Sequence, residues 1–552
     1  MRFLLLSALV ATAASASLDA FALRDGVDDS LPTVVLDAAT FVGTSGGTVV
    51  KYLGIPFAEP PIGDLRLRAP RSISGYTGTV NATAFGNRCF QQTFPNLTLP
   101  ENVPSAVSQL LNQTRPPIPQ SENCLNLNVI VPGNTTTGSK LPVAVWIYGG
   151  GFMIGSNADL PGENVVARSI ELGHPIIYVA MNYRLSAFGF LGGKEVKEAG
   201  VGNLGLLDQL EALKWVQKYI SAFGGDPDKV MIWGESAGSI SVAQHMLANN
   251  GDPQGLFRAA FLESNVASPV GEIDVPIAQS AYDTVIYETG CADAADTLAC
   301  LREVPAAMLK AAMDMTPTFL SFDQLLSPYV PRADGGYVAQ PPQHQLLSGA
   351  IANIPFVAGN DKDEGTLFSL PTLFNVTTEE ELINYLQTEY FNHTSRAAVA
   401  HAVAQYPADP AAGSPFDTGA NFTFSPEYKR MAAIQGDYFF QGPRRLFMQQ
   451  LAGRQPVFGY LNEADQVEGL GAEHGAELVS VYFGGALGDY LIRFAATLDP
   501  NGDGATTWPQ YTTENPALLT LSDSEPQLSI TLDSYRAKGI ALLTQLGLAD
   551  PM

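Results

Sequence analysis

The chain has 552 residues, and at roughly 150 residues per domain that length allows three or four domains. Hydrophobic residues make up 46% and charged residues 15%, the reverse of the balance that keeps a chain disordered, so a large core can form. The formal net charge of −25 repels phosphate backbones and excludes a nucleic-acid partner, and four cysteines are too few for a disulfide-built scaffold.

The N-terminus reads MRFLLLSALVATAASAS. Arg2 precedes the apolar run Phe3 to Val10, and Ala14-Ser15-Ala16 supplies the small residues of a cleavage site. Residues 1–16 are therefore read as a secretory signal peptide, with the mature chain starting near Ser17. No segment runs 18 residues without polar interruption, so no transmembrane anchor is expected. Asn-X-Ser/Thr sequons at Asn81, Asn96, Asn112, Asn134, Asn375, Asn392 and Asn421 fit an extracellular protein. The cysteines fall into two sequence-local couples, Cys89 with Cys124 and Cys291 with Cys300. Local pairing would close two modest loops, although four cysteines allow three connectivities.

Residues 33–70 alternate apolar runs with Gly/Ser turns and read as an antiparallel β-meander. From Leu141 the pattern changes: LPVAVWIYGG and PIIYVAMNY are fully apolar strands. LLDQLEALKWVQKYI follows with helical spacing, Leu207, Leu210, Leu213 and Val216 forming one face. KVMIWG is another buried strand, followed by the helical SAGSISVAQHML, and NIPFVAGN and QPVFGYLN are later strands. Apolar strands alternating with helices imply an α/β fold: a large, mostly parallel central sheet with helices on both faces, extended by the meander. Nothing in the chain has a linker's composition, so one enlarged sheet accounts for the length.

Two pentapeptides match G-x-S-x-G. Gly43-Thr44-Ser45-Gly46-Gly47 joins two strand-like runs and reads as a hairpin turn. Gly234-Glu235-Ser236-Ala237-Gly238 follows a strand and opens a helix, the context of a nucleophile elbow. The flanking glycines let a strained turn lift the Ser236 Oγ clear of the sheet, and the helix N-terminus favours developing negative charge. A serine needs a base, and the base an orienting acid. Among six histidines, His174, His245, His393 and His401 have structural readings and His344 is less clear-cut. His474 lies in Gly471-Ala472-Glu473-His474-Gly475, a loop late in the chain. The order serine, acid, histidine puts the acid between them, and Asp361, Asp363 and Glu364 of GNDKDEGTLF compete without the spacing choosing. Gly149-Gly150-Gly151-Phe152, after VAVWIY, suits backbone donors for an oxyanion.

At these residues the chain resembles the type-B carboxylesterase/lipase family of the α/β-hydrolase superfamily, from about residue 33 to about residue 515. FGGDPDKVMIWGESAG matches the family's nucleophile signature. SENCLNLNVIVP resembles its second signature, with Asn123 and Asn126 departing from the usual residues. YLGIPFAEPPIGDLRLRAP, NYRLSAFGFLGG, GNLGLLDQLEALKWV and GNDKDEGTLF look like further family blocks. The resemblance implies Ser236, Glu364 and His474 as catalytic residues and the N–H groups of Gly150, Gly151 and Ala237 as the oxyanion donors. It implies disulfides Cys89–Cys124 and Cys291–Cys300, and ion pairs of Arg66 with Glu122 and Arg184 with Asp208. It implies no cofactor and no metal. Asp499-Pro500-Asn501-Gly502-Asp503-Gly504 imitates the start of a calcium loop, but Gln510 stands where a bidentate Glu is needed, so this reads as a turn.

The expected enzyme is a secreted serine hydrolase of carboxylic esters, a carboxylesterase or lipase acting on apolar acyl esters, with a lipid–water interface as a candidate partner. Residues 17–552 form one hydrolase domain, because Ser236, Glu364 and His474 must converge. The family keeps a lid or gorge loop at about 89–124. There Val103, Val107, Leu110 and Leu111 form an apolar stripe, with Asn102 as a candidate N-cap. No tryptophan lies in that loop, which disfavours a choline ester. The alternatives are a non-catalytic adhesion or binding protein of the same family and a specialised sterol-ester hydrolase.

Overall fold

The computed structural model describes residues 31–113 and 115–552; the signal peptide read at 1–16 lies outside them. The strands are β1 (Thr33–Leu36), β2 (Ala38–Val42), β3 (Thr44–Ser45), β4 (Val49–Pro56), β5 (Thr77–Asn81), β6 (Asn126–Pro132), β7 (Leu141–Ile147), β8 (Ile177–Met181), β9 (Gly225–Glu235), β10 (Ala259–Glu263), β11 (Phe356–Asp361), β12 (Val457–Glu463), β13 (Ala517–Ser522) and β14 (Leu528–Leu532). The 11-stranded sheet runs β14-β13-β12-β11-β10-β9-β7-β8-β6-β4-β3. From β13 to β8 every pairing is parallel. Antiparallel pairs close both ends. The parallel strands have buried, mainly apolar centres, as strands covered on both faces do.

The meander only partly joins this sheet. β3 and β4 extend it as a hairpin around Gly46-Gly47. β1 and β2 leave it, because β2 pairs in parallel with β5 and so builds a separate three-stranded sheet. That partner lies 35 or more residues away, beyond the reach of local alternation.

Four helices matter for the site: α1 (Ser105–Leu111), α2 (Leu204–Tyr219), α3 (Ala237–Gly251) and α4 (Glu477–Tyr482). On α2, Leu213 and Val216 are buried as the spacing predicts, while Leu207 and Leu210 are half-buried. The helix also buries Asp208, because Arg184 Nε and NH2 bind its carboxylate at 2.8 and 2.7 Å. Arg66 grips Glu122 in the same bidentate way, at 2.6 and 2.8 Å. Disulfides join Cys89 to Cys124 and Cys291 to Cys300. All seven sequon asparagines are exposed.

Helix α1 starts later than its sequence predicts. Its N-cap is Pro104, in extended geometry, and Asn102 lies in the preceding turn. Proline disfavours helical dihedrals in the residue before it, so Val103 cannot join the helix. Val107 is fully buried against Leu370, Leu373, Phe424, Tyr428 and Leu470. Val103, Leu110 and Leu111 are half-buried around the same cluster.

The register aligns the strand ends. Ile147 pairs with Gly234, Glu235 with Glu263, Glu263 with Gly359 and Asp361 with Asn462. The loops after β7, β9, β11 and β12 therefore leave one edge of the sheet side by side, the edge at which open α/β sheets bind ligands.

Candidate active site

Ser236 sits where β9 turns into α3, at φ 54°, ψ −122°, a conformation that costs a non-glycine residue on the order of 1–3 kcal/mol. Its neighbours explain how the turn closes. A Cβ on Gly238 would lie 1.9 Å from the Ile147 carbonyl oxygen, and one on Gly234 would lie 2.4 Å from the Gly238 carbonyl carbon. The Ser236 N–H donates to the Glu263 carbonyl at 2.9 Å, and its own carbonyl accepts from Ile240 at 2.9 Å, opening the helix.

The turn aims the Ser236 Oγ at His474 Nε2, 2.8 Å away. His474 Nδ1 lies 2.6 Å from Glu364 Oε2. The other oxygen of Glu364 accepts from Asn360 Nδ2 at 3.1 Å and from the Asp361 N–H at 3.0 Å. Glu364 is fully buried, and the rings of Phe368 and Phe440 pack at 5.1 and 4.9 Å from the imidazole. Serine, histidine and glutamate thus form one hydrogen-bonded relay.

Asp361 and Asp363, the two competing acids, hold the backbone of the histidine loop instead. Asp361 Oδ2 accepts from the N–H groups of Gly475 and Ala476 at 2.9 and 3.0 Å. Asp363 accepts from Ser414 Oγ at 2.7 Å, Phe416 N–H at 2.8 Å and Ala472 N–H at 3.2 Å. The three acids thus divide the work. Two fix the loop, and the third meets the imidazole.

The glycine loop lies against the same serine. Gly150 and Gly151 have φ of 103° and 63°, and a Cβ on Gly149 would lie 2.9 Å from the Ser236 Cβ. Ala237 is the first residue of α3. The N–H groups of Gly150, Gly151 and Ala237 are unpartnered among the described residues, which leaves donors for an oxygen arriving beside the Ser236 Oγ.

Carboxyl groups missed in the sequence surround His474. Glu235 Oε1 lies 3.3 Å from Nε2, and Glu473 and Glu477 are buried beside it. Burial pushes Glu235 and Glu473 up to about 8. Burial works against the His474 imidazolium, but the carboxylates of Glu364 and Glu235 outweigh it and raise the imidazole to about 9. Glu235 is the variable position of the G-x-S-x-G motif. Nothing in its residue type announces that it is buried.

Of the other histidines, His245 is buried on α3, bonded to Tyr337 and Gln209. His344, His393 and His401 are exposed, and His174 sits in the turn before β8.

Ser236 and His474 open into a cavity of about 580 Å³. Phe94, Leu110, Leu111, Phe319, Phe368 and Phe440 are among its apolar lining, and two of these come from α1. The volume falls within the range of small-molecule sites. Among the described residues no helix is long and apolar enough to cross a membrane.

Comparison with known proteins agrees with this geometry. The model of the carboxylesterase family matches residues 34–537. Secreted lipase 1 of Botryotinia fuckeliana is 40% identical over 502 residues, 87% of each chain. Lipase 5 of Diutina rugosa is 38% identical over 542 residues, 94% of this chain and 96% of the lipase. The crystal structure of Aspergillus niger EstA superposes with a TM-score of 0.79 at 26% identity, covering 95% of this chain and all of that one. The chain therefore belongs to the carboxylesterase family and is a carboxylic ester hydrolase of the α/β-hydrolase fold.

Proposed function

We propose that the enzyme hydrolyses esters of apolar acyl groups through an acyl-enzyme intermediate on Ser236. The observation that carries this reading is the unbroken relay Ser236–His474–Glu364 at the wall of an apolar cavity. His474 takes the Ser236 proton as Oγ attacks the ester carbonyl, and Glu364 fixes the imidazole tautomer and stabilises the imidazolium. The oxyanion is held by the N–H groups of Gly150, Gly151 and Ala237. His474 then protonates the leaving alcohol, and water repeats the cycle on the acyl-enzyme to release the acid.

Secretion is part of the proposal, supported by the signal-like N-terminus, the exposed sequons and the disulfides. So is the treatment of residues 17–552 as one hydrolase unit. The relatives named as secreted lipases and as a secreted triacylglycerol lipase favour lipid esters. The apolar underside of α1 supports reading the 89–124 loop as a lid that meets a lipid–water interface.

Turnover of p-nitrophenyl esters, with a serine-directed phosphonate as active-site label, tests the core of the proposal. Ser236→Ala should lower kcat by at least ~10³ and abolish labelling. Unchanged turnover in that variant would sink the assignment. An acyl series from acetate to palmitate, below and above the substrate's solubility limit, separates lipase from carboxylesterase.

A further inference from the structure

Arg332 lines the same cavity as Ser236, yet it is 1% exposed. Its backbone is pinned by Asn203, which accepts from the Arg332 N–H at 3.2 Å and donates to its carbonyl at 2.8 Å. The guanidinium makes one hydrogen bond, from NH2 to the Ser327 carbonyl at 3.3 Å. Its Nε and NH1 have no partner among the described residues, and no carboxylate there lies within ion-pair distance of it.

Other buried arginines in this protein behave differently. Arg66 faces Glu122, Arg184 faces Asp208, and Arg444 and Arg445 share Asp533. A buried charge without a counter-charge is strongly disfavoured, and arginine does not escape by losing its proton. Burial lowers the Arg332 pKa only to about 10, with no acid nearby to offset it. The guanidinium is therefore charged and lacks its anion.

Gln244, Asn265 and Ser268 also line the cavity. An anion entering the cavity meets in Arg332 a cation that no carboxylate among the described residues neutralises. A planar carboxylate accepts two parallel N–H bonds from a guanidinium, which a spherical halide cannot do.

We infer that Arg332 is the centre of a carboxylate-binding subsite inside the substrate cavity, taking an ionised carboxyl group carried by the ester itself, as in the half-ester of a dicarboxylic acid. The inference rests on Ser236 being the nucleophile that opens into this cavity. It adds a second substrate class, anionic esters, to the apolar ones.

The test compares p-nitrophenyl hydrogen glutarate with its neutral methyl ester. Wild type should turn over the carboxylate form with kcat/KM at least equal to that of the methyl ester. In Arg332→Met the ratio of the two should fall at least about 30-fold, and Arg332→Lys should restore part of it. A ratio taken within each variant cancels a general loss of activity. An unchanged ratio in Arg332→Met, or a wild-type preference for the methyl ester of about tenfold or more, overturns the subsite. Calorimetric titration of wild type and Arg332→Met with glutarate reads the subsite without chemistry. Binding that weakens in the variant supports it, and absent or equal binding overturns it. Failure of p-nitrophenyl butyrate turnover in wild type would instead count against the Ser236 reading.

Discussion

Glu235 Oε1 stands 3.3 Å from His474 Nε2, the nitrogen that faces Ser236 Oγ at 2.8 Å. A second carboxyl group thus reaches the imidazole on its working side, opposite Glu364. An ionised Glu235 would hold the imidazolium and compete with the leaving group for its proton. Burial pushes Glu235 up to about 8, while its charge, when it is ionised, raises His474. The two groups titrate as a pair. Buried Glu473 and Glu477 also face this histidine, with Glu364 across the ring. Only the neutral imidazole accepts the serine proton, so the acid limb of kcat/KM should lie above the ordinary histidine range near 6.5. Glu235→Gln should move that limb to lower pH. A soluble ester assayed from pH 5 to 10 checks this, and an unmoved limb would disprove the coupling.

Glu364 and Asp363 give opposite predictions although they are adjacent in sequence. Glu364→Gln replaces the oxygen that meets His474 Nδ1 at 2.6 Å. It should lower kcat by about 10³–10⁴ with little change in Tm, by analogy with amide substitution in other triads. Asp363 accepts from Ser414, Phe416 and Ala472. Asp363→Asn turns one acceptor into a donor facing donors and should destabilise the fold by about 1–3 kcal/mol. Thermal melts and initial rates on both variants decide the matter. A stable, inactive Asp363→Asn beside a fully active Glu364→Gln would reverse the assignment.

How legible these residues were follows from what fixes them. Ser236 was readable because its turn needs glycine at 234 and 238, a requirement written in residue type. The parallel strands at Leu141, Ile177 and Val230 were readable because both faces are buried. The acid was not readable from spacing: Asp361, Asp363 and Glu364 lie within four residues at the end of β11, and only side-chain direction separates them. The resemblance to a known family chose Glu364, and the hydrogen bonds show what occupies the other two. Glu235 and Glu473 stayed hidden because a buried carboxyl has the same letter as an exposed one. The pairing of β2 with β5 was hidden because it is set by contacts remote in sequence.

The glycine loop separates two neighbouring substitutions. Gly150 has φ 103°, and a Cβ there would lie 2.2 Å from the Ile154 carbonyl oxygen. Neither the dihedral nor a backbone atom can yield, so Gly150→Ala should reorganise the loop and lower kcat at least about 10²-fold, as expected for loss of an oxyanion donor. Gly151 has φ 63°, and its added Cβ would meet the Phe319 ring at 2.5 Å. A ring can turn, so Gly151→Ala should be milder. Adding Phe319→Ala to Gly151→Ala should recover part of kcat/KM. Equal losses in the two single variants would argue against backbone donation from this loop.

Asp208 is fully buried, and Arg184, 3% exposed, binds it through Nε, NH2 and its backbone N–H. Asp208→Asn leaves a buried guanidinium opposite a neutral amide. The expected cost is about 3–5 kcal/mol, read as a lower denaturation midpoint. A loss below about 1 kcal/mol would show that water reaches the pair.

The carboxyl groups behind His474 set how stability depends on pH. Burial raises Glu235, Glu263, Asp361, Glu473 and Glu477 above the ordinary carboxylate range. One oxygen each of Glu263, Glu473 and Glu477 has no hydrogen-bond partner among the described residues. For Glu473 the folded value is about 8 against 4.5 for the free group. The folded protein therefore holds a proton that the unfolded chain has already released across that window. Stability from this proton is complete below 4.5 and is lost as the pH rises toward 8. His474, raised to about 9 from 6.5, acts in the same sense over a higher window. Asp37, Asp226 and Asp274 are shifted the other way, but their windows lie below pH 4. The Tm of wild type should therefore fall between pH 5 and pH 9. Glu473→Gln replaces the titrating group with a permanently neutral one of the same shape. Its Tm should match wild type near pH 5 and exceed it above pH 8, giving a shallower slope by scanning calorimetry. Parallel slopes in the two proteins would mean that Glu473 ionises in the folded state as easily as in the unfolded chain.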